Sequence, residues 1–453
     1  MQRDLTAGPV TSTMLLFSLP MILGNLLQQF YNVADTFIVG RYLGTAALGA
    51  VGSAYTLMTF LTSILLGLAM GSGAVFSIRW GQRDIEKLRE SIFTSFVLIA
   101  TLAVVLSIAV FALLDVILGL LQVPVENYAL MRAYLFVIFF GIPATFFYNY
   151  FACLLRSIGN ASVPLLFLGV SAVTNVVLDL LFVVVFHWGV EGAAGATVAA
   201  QYLSGVGLVL YTAARFPQLR PARRHMTLRR ESILEISQFS LLTCAQQSVM
   251  NFGILMVQGR VNSFGPAVMA AFAAAVKIDS FAYMPVQDFA NAFSTFVAQN
   301  YGARKPDRIR SGIRSAVTIS ILFCLVISGV VFALAHPLMT IFVEPEETEI
   351  LAIGVTYLRI EGAFYLGIGC LFLLYGLYRA VAMPAMSVVL TVISLGTRVL
   401  LAYTLSAVPA IGVVGIWWSV PIGWFLADLT GFVYYLLRRR AIEEKLLRDT
   451  SAL

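Results

Sequence analysis

The sequence predicts an all-α polytopic membrane protein, with about twelve transmembrane helices in two six-helix lobes. Three observations predict it. Of 453 residues, 60% are hydrophobic and 11% charged, with a mean hydropathy of +0.89; soluble domains carry roughly 25% charged residues. The apolar residues form long continuous runs, unlike the short alternating segments of a transmembrane barrel. The order of polar landmarks along the first half of the chain also returns in the second.

The runs fall at about Met14–Val39, Ala46–Ile78, Ile92–Leu121, Ala129–Leu155, Val163–Phe186 and Ala193–Ala214. A polar stretch, Arg215 to Arg230, separates these from runs at about Ile233–Val257, Ala267–Val297, Ile313–Ala335, Ile350–Leu377, Ala385–Val408 and Val413–Leu437. Each is long enough to cross roughly 30 Å of hydrocarbon at about 1.5 Å per residue. The expected organisation is an N-terminal lobe over 1–215, a basic linker over 216–231, a C-terminal lobe over 232–437 and a tail over 438–453. The first residues lack the pattern of a cleavable leader, so the first helix is expected to act as its own insertion signal.

Loop charges orient the chain. Basic residues follow run two (Arg79, Arg83, Lys87, Arg89), run six (Arg215, Arg220, Arg223, Arg224, Arg229, Arg230), run eight (Arg304, Lys305, Arg308, Arg310) and run twelve (Arg438, Arg439, Arg440, Lys445, Arg448). The odd-numbered connections are nearly bare or, around Glu344, Glu346, Glu347 and Glu349, acidic. By the positive-inside rule, both termini are expected in the cytoplasm. The net charge of +6 thus reflects loop sorting and not nucleic-acid binding. Cys153, Cys244, Cys324 and Cys370 all lie in apolar runs without metal-ligand spacing, and read as small buried hydrophobes.

The repeat is explicit. Tyr134-Leu135 and Tyr357-Leu358, Arg156 and Arg379, and Gly189 and Gly412 are each separated by 223 residues. Nearer the start, Gln28, Asn32 and Gly40-Arg41 match Gln247, Asn251 and Gly259-Arg260 at a separation of 219. Two halves with an even number of spans and the same starting side are parallel repeats, related by a pseudo-two-fold axis along the membrane normal.

Against this background two acids stand out. Asn175 and Asp179 share a helix face in the fifth run, and Asp35 lies in the first. An intramembrane carboxylate costs several kcal/mol, so it faces a cavity or a partner. The repeat is an internal control: Asp179 aligns with Ala402, Asn175 with Arg398, Asp35 with Ile254 and Pro20 with Phe239. The acids are therefore not required by the shared architecture. Two carboxylates out of water cannot both stay ionised cheaply; a proton, Na⁺ or an organic cation can each relieve the strain, and competition for one site is a physical basis for antiport. Asn175 and Thr197 are candidates to supply neutral oxygens or to hold a carboxylate in place. Pro20 frees a carbonyl one turn earlier, giving the first helix a place to bend. Gln28, Asn32, Gln246, Gln247, Asn251 and Glu361 are candidates to line a substrate cavity, the alternative being packing between helices. Glu361 and Arg398 demand a partner where they lie. No other metal site than Na⁺ at Asp35, Asn175 and Asp179, and no organic cofactor, is expected.

Taken with Ser18-Leu-Pro20, Tyr31-Asn-Val-Ala-Asp35-Thr-Phe-Ile-Val-Gly40, Arg156-Ser-Ile-Gly159, Asn175-Val-Val-Leu-Asp179 and Val297-Ala-Gln-Asn300-Tyr-Gly302, the chain resembles the multidrug and toxic compound extrusion (MATE) family. The resemblance covers nearly the whole chain. It implies two lobes in a V that alternate in access, and, in the prokaryotic branch, a cation site in the N-terminal lobe at the positions of Asp35, Asn175, Asp179 and Thr197. It also implies a helix bend at Pro20. Another branch places coupling acids in the C-terminal lobe; Gln247 stands where the first of those is expected, with Glu361 as a partial substitute. The implied activity is export of amphipathic, often cationic drugs from a bacterial cell across the inner membrane, against H⁺ or Na⁺, by a monomer. A flippase for lipid-linked saccharide precursors is the alternative, disfavoured by the acids and the span count. An integral-membrane enzyme is disfavoured because no nucleophile–base set, metalloprotease motif or phosphate loop appears.

Overall fold

The structure, a computed structural model, describes residues 3–120 and 125–448. The Leu121 end of the third apolar run, residues 1–2 of the first expected lobe and residues 449–453 of the expected tail lie outside the described residues. The described chain is all-α. Eleven helical stretches, one of them Asn127–Ser157, are long and apolar enough to cross a membrane, and a twelfth span is made by a pair bent by 51°.

By packing, the chain divides into two compact units, Met1–Asp4 with Leu19–Cys244, and Leu5–Ser18 with Ala245–Leu453. Helix α1 (Val10–Gly44) passes from the second unit to the first at Leu19, one residue before Pro20. The division thus falls inside a helix, where hydropathy carries no mark of it.

In the first unit, α1 is followed by α2 (Ala47–Gly81), α3 (Ile85–Ala112), the short α4 (Leu114–Leu120), α5 (Val125–Ile138), α6 (Ile142–Ser157), α7 (Ser162–Asp179) and α8 (Gly189–Arg215). Gly44 joins α1 to α2 at φ 86°, where a side chain would be strained. Pro143 cannot donate to the preceding turn, and a 3₁₀ turn, Phe139–Gly141, separates α5 from α6. The core is aromatic. Phe96, Phe146, Phe147, Tyr150 and Phe151 pack ring on ring, and the Tyr150 hydroxyl donates to the Ile92 carbonyl at 2.7 Å. The N-terminal part of α9 (Arg230–Asn262) also belongs here. It lies backbone to backbone on α2: a Cβ on Gly67 would sit 2.7 Å from Cys244 Cα, and one on Gly71 2.5 Å from Ser240 Cα. Small residues one turn apart are how membrane helices approach this closely without a hydrophobic drive. Ser72 and Ser240 share a hydrogen bond at 2.8 Å in the same seam.

The basic linker is folded, not extended. His225 is 5% exposed; its Nδ1 accepts from the Ala222 amide at 2.9 Å, which leaves Nε2 to donate to Glu86 at 2.8 Å. Arg224 pairs with the same carboxylate, Arg229 with Glu90, and Arg89 donates to the Gln218 carbonyl.

The second unit continues through α10 (Pro266–Gly302), α11 (Pro306–Ala333), α12 (Ala335–Met339), α13 (Thr348–Gly362), α14 (Tyr365–Ala380), α15 (Pro384–Leu405) and α16 (Val414–Arg448). The tenth apolar run, which reads as one helix, is broken between α13 and α14 by the bent pair. Gly362 and the turn bond from the Phe364 amide to the Glu361 carbonyl end α13 there. The chain's own start is fastened into this unit. Arg308 donates to the carbonyls of Ala7 and Gly8, each at 2.6 Å, Lys305 to Thr6 at 2.7 Å and Asn300 to Leu5 at 3.1 Å.

Candidate functional site

The site lies wholly in the first unit and is assembled from α1, α7 and α8. Helix α7 packs on α8, and two hydrogen bonds fix their register. Ser171 donates to the Ala200 carbonyl at 2.9 Å and, one turn on, Asn175 Nδ2 donates to Thr197 Oγ1 at 3.2 Å. Thr197 in turn donates to the Ala193 carbonyl at 3.1 Å. With its one proton committed, Thr197 can only accept from Asn175. The amide of Asn175 is thereby oriented, and its Oδ1 is left as a free acceptor.

Asp179, the last residue of α7, is fully buried, and Asn175 nearly so. The helix does not continue as an α-helix. Leu180–Val185 form a π-helical turn, with the Phe186 amide bonded to the Leu181 carbonyl. Such turns insert a residue into the helical register and occur often at functional sites. Asp35, on α1, presents its carboxyl to that of Asp179 at close range. Tyr31, one turn before Asp35, and Tyr134 on α5 lie beside both acids, and among the described residues no basic group is seen to act on either.

The polar inventory is one-sided. Asp35 Oδ1, both carboxylate oxygens of Asp179 and Asn175 Oδ1 are buried acceptors that no donor reaches. Buried polar groups are normally paired, and leaving one unpaired costs about 1–3 kcal/mol, more for a charge. Four buried oxygen acceptors without a donor can take up a proton or a small cation.

Asp35, Asn175, Asp179 and Thr197 are therefore neighbours, although the first stands far from the others in sequence. The remaining candidates are placed elsewhere. Pro20 sits inside the unbroken part of α1. Gln28 is exposed in the first unit, and Asn32 donates to the Tyr55 hydroxyl at 3.3 Å. Gln246, Gln247 and Asn251 lie on α9 in the second unit, Gln246 3% exposed and Asn251 donating to the Gln247 carbonyl. Glu361 is 1% exposed and faces Asp279 of the second unit. Sequence reasoning missed Tyr31 and Tyr134 as site neighbours. The signal was present: Tyr31 is one turn before the acid, and Tyr134 was visible as a landmark of the repeat.

A helical, many-span membrane protein built from two repeats, with one donor-free carboxylate pair, has the make-up of a secondary transporter. The family profile MatE matches it twice, over residues 20–181 and again over 240–404, and the chain belongs to that family. It is 30% identical over 443 residues to a "Probable multidrug resistance protein YpnP" of Bacillus subtilis, covering 95% of this chain and 96% of that protein. A solved structure described as "MATE in the bent conformation" superposes with a TM-score of 0.91 at 23% identity, covering 98% of each chain. Another, described as "MATE in the straight conformation", gives 0.87 at 22%, covering 97% of this chain and 98% of the other.

Proposed function

We propose that this chain exports amphipathic, often cationic compounds across a bacterial inner membrane in exchange for H⁺ or Na⁺ at the Asp35–Asp179 pair. The observation that carries the reading is the set of four buried acceptor oxygens with no donor in reach. Such a site is stable only when something positive occupies it, and protons, Na⁺ and the field of a cationic substrate compete to do so. The name of the Bacillus subtilis relative, a probable multidrug resistance protein, supports export of drugs as the activity. Asp35 and Asp179 bind the ion, Asn175 offers a neutral oxygen to it, and Thr197 holds Asn175 in that orientation. In this reading the protein works as a monomer with both termini in the cytoplasm, and Pro20 lets α1 respond to the charge state of Asp35.

Dye efflux from proteoliposomes, with Na⁺ and H⁺ gradients imposed separately, tests it. Asp179→Asn should fold and lose gradient-driven export under both gradients. Glu191→Gln, an exposed position at the start of α8, should retain export. Full gradient-driven export by Asp179→Asn would refute the assignment.

A further inference from the structure

The second unit holds a carboxylate pair of its own. Asp279 on α10 is 5% exposed, and Glu361 near the end of α13 is 1% exposed. Their carboxyl groups face each other. Tyr357, one turn before Glu361, donates to Asp279 Oδ2 at 3.5 Å, and the Tyr365 hydroxyl lies beside Asp279. Tyr283, one turn beyond Asp279 on α10, and Arg398 on α15 also act on the pair. Asp279 Oδ1 and Glu361 Oε1 are buried without a donor, while Arg398 Nε is buried without an acceptor. Neither acid is bonded to Arg398, whose charge nevertheless acts on both.

The repeat relates the two clusters. Tyr357 stands 223 residues after Tyr134, which lies beside the first acid pair, and Arg398 stands 223 residues after Asn175. Each unit therefore sets a tyrosine from one repeat position and one further residue from another against two acids. In the first unit that further residue is a neutral amide, and among the described residues no base is seen to act on the acids. In the second it is a guanidinium. The acids themselves come from different positions in the two halves, so the common elements are the tyrosine and the Asn/Arg position.

We propose that Arg398 is a built-in cation: the second unit carries a carboxylate site whose counter-charge is tethered to the chain, so that it exchanges no ion while Arg398 is present. With one proton shared by Asp279 and Glu361, the cluster and the guanidinium sum to zero charge. Arginine stays protonated in proteins, so this charge cannot leave. The first site, without a tethered cation, must take its positive charge from solution. This comparison rests on the ion-exchange reading of Asp35 and Asp179. The proposal yields a gain of function: deletion of the guanidinium should open the second site to a small cation, with free guanidinium, Na⁺ or a further proton as the candidate occupants.

The test uses the full chain in detergent, with heat unfolding followed by a thiol-reactive dye, since Cys153 and Cys324 are buried. The background is Asp179→Asn, in which the first site is disabled. With Arg398 intact, this background should show no protection by millimolar guanidinium or by Na⁺. Adding Arg398→Ala should create protection, raising the folding constant roughly tenfold when the cation is at ten times its Kd. Arg398→Lys should remain unresponsive. No response in Arg398→Ala to guanidinium, Na⁺ or lowered pH would overturn the proposal, as would equal protection with Arg398 intact. Recovery of Arg398→Ala only in the presence of guanidinium would support it. If that variant cannot be recovered in any cation, Arg398→Gln is measured the same way, and the reciprocal Asn175→Arg in the otherwise native chain decides. That chain should fold and lose the ion response of the native protein; retention of the response would overturn the proposal. A native protein with no ion response at all would instead refute the reading of the first site, and the Arg398→Ala result stands independently of it.

Discussion

Replacement of Thr197 by valine removes one oxygen and almost no volume. That oxygen accepts the Asn175 amide at 3.2 Å and donates to the Ala193 carbonyl at 3.1 Å. Thr197 is 7% and Asn175 1% exposed, so water does not replace it freely. A buried amide N–H left without an acceptor costs about 1–3 kcal/mol in soluble proteins. Measured hydrogen bonds between membrane helices average about 0.6 kcal/mol and reach about 1.7. A loss of about 1 kcal/mol is the working value, and it falls on the orientation of Asn175 more than on the fold, because Ser171 still ties α7 to α8. About 1 kcal/mol is roughly fivefold in affinity. Thr197→Val should therefore weaken ion binding about fivefold, read as the midpoint of Na⁺ or H⁺ protection against heat unfolding. Thr197→Ser, which keeps the hydroxyl, should restore most of it. Native affinity in Thr197→Val, or equal damage in both variants, would show that Thr197 does not position Asn175 for the ion.

Three further outcomes are expected. Gly71→Val should destabilise the first unit by about 1–3 kcal/mol through overpacking against Phe239 and Ser240, whereas Gly119→Ala, with nothing within 4 Å of its added Cβ, should be near neutral; purified yield and unfolding temperature report the difference. Cysteines placed beside Arg223 and beside Glu346 should label from opposite sides of the membrane, the first from the cytoplasm alone; labelling of both from outside would contradict the charge-based orientation. Pro20→Ala restores the donor missing from α1 and should keep substrate binding while weakening the dependence of transport on the ion gradient. Spin-label distances between α1 and α8 across pH and Na⁺ concentration check the cause, and an undiminished ion-dependent change in Asp35→Asn would sever the acid from the bend.

Much of this was legible in the sequence, for physical reasons. Apolar length reports membrane spans because the bilayer sets one thickness for all of them. The repeat was legible through Tyr134 and Tyr357, Arg156 and Arg379, and Gly189 and Gly412. Asp35 and Asp179 stood out because charge is so rare in such runs. Three things were not legible. The π-helical turn after Asp179 lies in Leu180–Val185, six apolar residues whose composition suits any helix. The transfer of α1 between units at Leu19 depends on what packs against it, and hydropathy does not record the neighbour. The facing of Asp279 and Glu361 joins residues on separate helices, and from the sequence Glu361 reads only as a costly acid in need of a partner.

The arginines of the loops are read twice in the life of the chain. During insertion a loop is sorted by its charge, for which lysine serves as well as arginine. After folding, Arg308 holds two successive carbonyls of the chain's first turn with separate arms of its guanidinium, and Arg224 joins His225 on one carboxylate. The second reading is one of shape, which the point charge of lysine does not satisfy. A lysine at position 308 would thus pass the translocation machinery unnoticed and loosen the leading segment, still held by Lys305 and Asn300, only once the protein is complete. Errors of this kind leave topology intact and surface later, as a mature transporter whose first helix has lost part of its mooring.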